Sequence, residues 1–121
     1  MVKAVRGAIS LDADNQIELK DKVRTLYLNL QELNGFSEES IVSIIFSQTH
    51  DISYNPAKAL RISVNISTVP LFCTQEPACI DFPQEMMLRV LITYNAEDGS
   101  GPAVPVYLGK ALELRADLTK R

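Results

Sequence analysis

Apolar and polar positions change period several times along this chain, and each change marks an element. Val2 to Ala8 alternates, with Val2, Ala4 and Arg6 opposed to Lys3 and Val5, and then reaches Gly7, which predicts a short strand. From Ile17 to Leu33 the period lengthens. Ile17, Val23, Leu26, Leu30 and Leu33 recur at spacings of three, four and six, with Tyr27 on the same side, which predicts an amphipathic helix. Asn15 followed three residues later by Glu18 is a capping-box start, and Asn34-Gly35 is a fitting stop.

Ser37-Glu38-Glu39 starts a short helical turn, and the β-branched run Ile41-Val42-Ser43-Ile44-Ile45-Phe46-Ser47 reads as a strand. Residues 48 to 55 are polar and loop-like. Pro56-Ala57-Lys58-Ala59-Leu60-Arg61 places proline where a helix begins and its missing donor costs least. Val69 to Cys73 is a further strand whose proline predicts a strand start or a sheet edge. Met86 to Ile92 is the next strand, bounded by Pro83 before it and by Asn95 and Gly99 after it. After a loop from Glu97 to Pro102, Val104 to Leu108, a Gly109-Lys110 turn and Ala111 to Arg115 read as a closing hairpin. The order predicts an α+β fold: a mixed sheet of about five to six strands, covered on one face by one long and one short helix. The other face is left bare, and oligomerisation is the simplest way to hide it.

At 121 residues the chain is a single domain, 1–121, with 115–121 expected as a flexible C-terminal tail. Twelve basic residues against fifteen acidic ones, with no basic tract, give no reason to expect nucleic acid. No stretch reaches membrane-spanning length, and Met1 to Arg6 carries no apolar segment of a signal peptide, so a cytoplasmic protein is expected. Cys73 and Cys79 stand far from the lone His50, too sparse a set for zinc, and reduced thiols are expected rather than a disulfide.

Against this ordinary background Arg89 stands out, a guanidinium inside Met86-Met87-Leu88-Arg89-Val90-Leu91-Ile92. Burying a permanent charge is costly unless an anion or a set of acceptors meets it. Either a protein carboxylate or an oxygen of a ligand should therefore face Arg89. Arg6 and Arg115 also lie on or at the ends of predicted strands, and Lys58 and Arg61 sit on the short helix. Together they look like a pocket for a compound with more than one carboxylate, since guanidinium forks bind carboxylates bidentately. The structural alternative is that the arginines pair with Glu76, Glu113 and Asp117 or lie at solvated strand ends. Cys73-Thr74-Gln75-Glu76 puts a thiol and a carboxylate at a strand end, but a cysteine nucleophile needs a histidine partner, so Glu76 reads as an acceptor for a ligand hydroxyl or as the partner of Arg89. The phenol of Tyr107 could reach a ligand carboxylate or be satisfied within the fold. His50-Asp51 suggests an acid–base pair but reads better as solvated loop residues, and Met86-Met87 reads as ordinary core. Glycine-rich phosphate loops and metal-binding motifs are missing. Cations, a carboxylate and a tyrosine without a nucleophile suit catalysis by electrostatic preorganisation and conformational restraint.

In ordered combination these pieces resemble the small trimeric α/β chorismate mutases. The matching segments are Val5-Arg6-Gly7-Ala8, Pro56-Ala57-Lys58-Ala59 with Arg61, and Val69-Pro70-Leu71 leading to Cys73-x-Gln75-Glu76. Then come Arg89-Val90, Val106-Tyr107-Leu108, and Leu114-Arg115-x-Asp117-Leu118. The resemblance implies a Claisen rearrangement of chorismate to prephenate, on the route to phenylalanine and tyrosine, with no cofactor and no metal. It implies that Arg89 bonds the breaking ether oxygen and that Arg6 and Tyr107 hold a carboxylate. Glu76 would take the ring hydroxyl, with Cys73 and Thr74 beside it. Lys58, Arg61 and Arg115 would surround the mouth, at the subunit interfaces of a homotrimer. The chain departs from the family in carrying Asn55 where an aromatic precedes the Pro-Ala pair, Ile9-Ser10 after Ala8, Ala116 after the final arginine, and no tryptophan. Two other readings stay open on the residues alone. One is an imine deaminase of the same trimeric shape, for which the extra cations would be superfluous; the other is a non-catalytic dicarboxylate-binding module.

Overall fold

The computed structural model of the chain describes residues 1–113. Arg115 and the tail from residue 115 lie outside the described residues.

Five strands and two helices follow in the order β1 (Val2–Ser10), α1 (Gln16–Asn34), β2 (Ile41–Gln48), α2 (Pro56–Val64), β3 (Leu71–Gln75), β4 (Met87–Asn95) and β5 (Val106–Leu108). Short 3-10 turns occupy Glu38–Ser40 and Gly109–Ala111. The sheet order is β3-β2-β4-β1-β5. The central strand β4 runs antiparallel to β1 and β2, whereas β3 is parallel to β2 and β5 is parallel to β1. A parallel pair needs a crossover connection, and α2 supplies it between β2 and β3.

Local chemistry accounts for the helix boundaries. Asn15 Oδ1 accepts from the Glu18 amide at 2.8 Å, and Gly35 closes α1 in the left-handed conformation at φ 70°. Asn55 Oδ1 accepts from the Lys58 amide at 3.0 Å, and Pro56 occupies the first turn of α2. Leu19, Val23, Leu26, Tyr27 and Leu30 form the buried stripe of α1. Ile17 and Leu33, expected on that stripe, are exposed, Ile17 at 83%. Ile17, two residues before Leu19 and six before Val23, lies on the side of the helix away from that stripe, and Leu33 lies in the last turn.

Both helices cover one sheet face, where Val5, Ile44, Phe46, Leu88, Val90, Ile92 and Tyr94 meet them in a single core. Gly7 belongs to this face because α1 presses closely on it. A methyl group there would stand 2.8 Å from Leu30 Cδ1 and 3.0 Å from Leu26 Cδ1. The proline-marked strand β3 is indeed an edge strand, and Pro70 precedes it.

The closing hairpin expected over residues 104–115 does not form among the described residues. Gly109, at φ 61°, turns the chain into the 3-10 turn, and Ala111 buries itself against Ala8, Met87 and Tyr107. A short apolar run has no periodicity that separates strand from helical turn, so the neighbouring surface decides.

Candidate active site

Strand β4 exposes the reason for its central arginine. Leu88, Val90, Ile92 and Tyr94 face the helices, while Met87, Arg89, Leu91 and Thr93 belong to the opposite face, where Leu91 is 37% exposed. Arg89 is therefore not sunk in a two-sided core, as the unbroken apolar run implied; it stands on the bare face with 31% of its side chain exposed.

Register assembles the site on that face. Arg89 lies opposite Ser47 of β2 and Ala8 of β1, Ser47 lies beside Thr74 of β3, and Ala8 lies beside Tyr107 of β5. One row thus runs Thr74, Ser47, Arg89, Ala8, Tyr107 across all five strands. The adjoining row holds Phe72, Ile45, Leu91 and Arg6. Ala8 contributes no bulk between Arg89 and Tyr107, so both polar side chains border the same space. A cavity of about 170 Å³ results, lined by Arg6, Ile45, Ser47, Glu76, Arg89, Leu91 and Tyr107 among others.

Glu76 reaches this cavity from just past the end of β3, where its amide still donates to the Gln48 carbonyl at 2.8 Å. Its side chain is 9% exposed, and its carboxylate pairs with Arg89, Nη1 to Oε2, at 3.4 Å. Gln84 Nε2 donates to the same Oε2, also at 3.4 Å. Among the described residues the Arg89 guanidinium makes no other hydrogen bond, which leaves donors to meet an anionic ligand. Of the two partners the sequence left open for Arg89, the structure shows Glu76.

The remaining candidates lie elsewhere in the protomer. Cys73 belongs to the helix-facing side of β3, where its thiol donates to Asn55 Oδ1 at 3.5 Å. It shares a second groove with Asn55, Thr74 and Gln75. Lys58 is exposed on α2 and lines a third groove with Lys20 and Tyr54. Arg61 turns back on its own loop, donating to the Ile66 carbonyl at 3.3 Å and the Val69 carbonyl at 3.1 Å. Both cysteines are free thiols.

Asp51 proves to be an anchor rather than a solvated loop residue. Its two carboxylate oxygens accept from the Met86 amide at 3.1 and 3.0 Å, and the Thr49 hydroxyl donates to it as well. Met86 needs holding, since it sits at φ 47°, a left-handed conformation uncommon outside glycine. Partial burial alone would raise the Asp51 pKa, but the Thr49 hydroxyl, the Met86 amide and nearby His50 outweigh it and lower the carboxyl below its usual value. Reading the sequence missed Asp51, Gln84 and the walls Ile45, Ser47 and Leu91. Their roles depend on strand register and on one loop's path, and neither leaves a local signature.

Similarity to known proteins agrees with this geometry. Residues 2–118 match the family described as chorismate mutase type I. Chorismate mutase AroH of Thermus thermophilus is 35% identical, over 98% of this chain and 97% of that protein. Chorismate mutase AroH of Bacillus subtilis strain 168 is 30% identical, over 98% and 94%. The solved structure of a chorismate mutase from Clostridium thermocellum superimposes with a TM-score of 0.83 at 28% identity, covering 92% of this chain and 98% of that one. With Arg6, Arg89, Glu76 and Tyr107 lining one space on a sheet face, the chain belongs to the chorismate mutase type I family.

Proposed function

We propose that the chain catalyses the rearrangement of chorismate to prephenate in the cavity beneath Arg89. One observation carries this reading: Arg6, Arg89, Glu76 and Tyr107, drawn from four separate segments, line a single space. In the rearrangement an ether C–O bond breaks as a C–C bond forms within one molecule. No atom, proton or electron enters or leaves, so neither a nucleophile nor a cofactor is required. The work left to the protein is to hold a dianion in its compact conformation and to stabilise the negative charge that grows on the ether oxygen. Arg89 is suited to that oxygen, Arg6 and Tyr107 to a substrate carboxylate, and Glu76 to the ring hydroxyl.

The active unit in this reading is a homotrimer with its sites between subunits. A ligand pocket ordinarily measures about 300–1,000 Å³. The Arg89 cavity, at about 170 Å³, is smaller and open to a bare face bearing the exposed Phe72, Ile45 and Leu91. A neighbouring copy would close it, bringing the groove of Cys73 and Thr74 and the cation Lys58 to its far wall; Arg115 is assigned to the mouth by resemblance alone. A cytoplasmic location accords with two free thiols, and no described helix is long and apolar enough to cross a membrane.

Purified protein added to chorismate should consume it, followed by ultraviolet absorbance, and acid treatment should convert the product to phenylpyruvate. No turnover above background from a verified trimer would overturn the enzymatic reading in favour of a dicarboxylate-binding module. Co-refolding of Arg89→Ala with Lys58→Ala tests the interface. Two impaired variants should regain activity in mixed trimers that contain one intact site, and no recovery would place both residues within one protomer.

A further inference from the structure

We infer that Gln84 is a positioning residue for the Glu76 carboxylate, selecting which of its two oxygens faces the substrate. Gln84 Nε2 and Arg89 Nη1 both donate to Oε2 of Glu76, each at 3.4 Å. Two donors on one oxygen leave Oε1 as the acceptor available to the cavity. With Arg89 as its sole holder, the carboxylate could rotate and offer either oxygen.

The orientation of the Gln84 amide is not arbitrary. Its own carbonyl oxygen is buried and has no hydrogen-bond partner among the described residues. Leaving a buried acceptor unpaired costs free energy, and turning the amide over would instead set that oxygen against a carboxylate. The glutamate dictates the amide's orientation, and the amide in turn holds the glutamate.

The backbone beneath Gln84 is also secured. Two residues on, the Met86 amide is gripped by both carboxylate oxygens of Asp51, and Pro83 precedes Gln84. Thr49 ties Asp51 and strand β4 together, since its hydroxyl donates to Asp51 and accepts from the Met87 amide at 3.0 Å. Gln84 is thus carried on a fixed stem rather than on the free part of the 76–86 loop. A chain of hydrogen bonds, with the backbone of Glu85 as its one covalent link, runs from Asp51 through Met86 and Gln84 to Glu76 and Arg89. Nothing in it but Glu76 and Arg89 lines the cavity.

This inference rests on the chorismate mutase reading, and the test separates the two. Gln84→Met keeps length and bulk while removing the donor. In protein whose wild-type form converts chorismate, Gln84→Met should lower kcat about tenfold, the effect of one hydrogen bond to a charged group, with KM changed less than about twofold. In a Glu76→Gln background the same substitution should change kcat less than about twofold, because the group it positions is already altered. Gln84→Ala repeats the cycle should Gln84→Met fail to fold. An unchanged kcat in Gln84→Met, or an equal loss in both backgrounds, overturns the positioning role. Failure of the wild type to convert chorismate overturns the parent reading instead.

Discussion

Arg89 shows how one residue can be paired and available at once. Its single contact to Glu76 at 3.4 Å balances its charge without consuming its donors. Replacing Arg89 by alanine should cost about 3 kcal/mol or more of transition-state stabilisation, a loss above a hundredfold in kcat, while the thermal midpoint moves little. Citrulline at the same position keeps the shape and loses the charge. It should lose nearly as much activity as alanine, and unchanged turnover with citrulline would sink the electrostatic account. Asp51 acts on stability instead. Its carboxyl is lowered in the folded protein, so its contribution is complete at neutral pH and fades as the pH falls below the ordinary value of 3.8. Asp51→Asn should therefore flatten the loss of stability between about pH 5 and pH 2 in urea titrations, relative to wild type. A parallel acid profile for the two proteins would refute the linkage.

At the scale of elements, two positions decide how helices meet the sheet. Gly7 lets α1 approach β1, and a methyl group would crowd Leu30 and Leu26, which are themselves immobilised in the core. Gly7→Ala should cost about 1–3 kcal/mol in denaturant midpoint, with no new exposed surface. Asn55 stands where the family carries an aromatic, and here it caps α2 and accepts from the Cys73 thiol. Asn55→Ala should lose about 1 kcal/mol, whereas Asn55→Asp should keep the cap and nearly full stability. If both lose the same amount in thermal melts, capping is not what Asn55 contributes. The failed hairpin belongs to this scale too. Ala111 satisfied a strand pattern, yet a buried corner of Ala8, Met87 and Tyr107 offered it more than another sheet edge could.

For the whole molecule, the governing fact among the described residues is a sheet with helices on one face and only the 3-10 turn at Ala111 against the other. Helices α1 and α2 bury one side, and the other side presents Ile45, Leu91 and Phe72 around the cavity. Contiguous exposed apolar surface of this kind marks an interaction site. Leu91→Lys, in the middle of that face, should convert the proposed trimer to monomer in sedimentation and remove activity together with assembly. A stable trimer carrying lysine at that position would show that the interface lies elsewhere.

Periodicity and capping chemistry by themselves determined the elements up to the last strand, because those signals act over a few neighbouring residues. Asn15 with Glu18, Asn34-Gly35, Pro56 and the edge-marking Pro70 placed helix and strand boundaries before any tertiary contact was known. The odd charge at Arg89 singled out the strand that carries the site, and ordered short matches pointed to the family. Which face Arg89 occupies was a matter of the tertiary structure alone, since alternation along an all-apolar run is invisible until one face acquires helices. Register alone brought Ser47, Ala8 and Tyr107 into its row and left Cys73 on the far side. The anchors Asp51 and Gln84 act on residues thirty-five and eight positions away, separations at which sequence carries no signal and only the folded chain sets the distance.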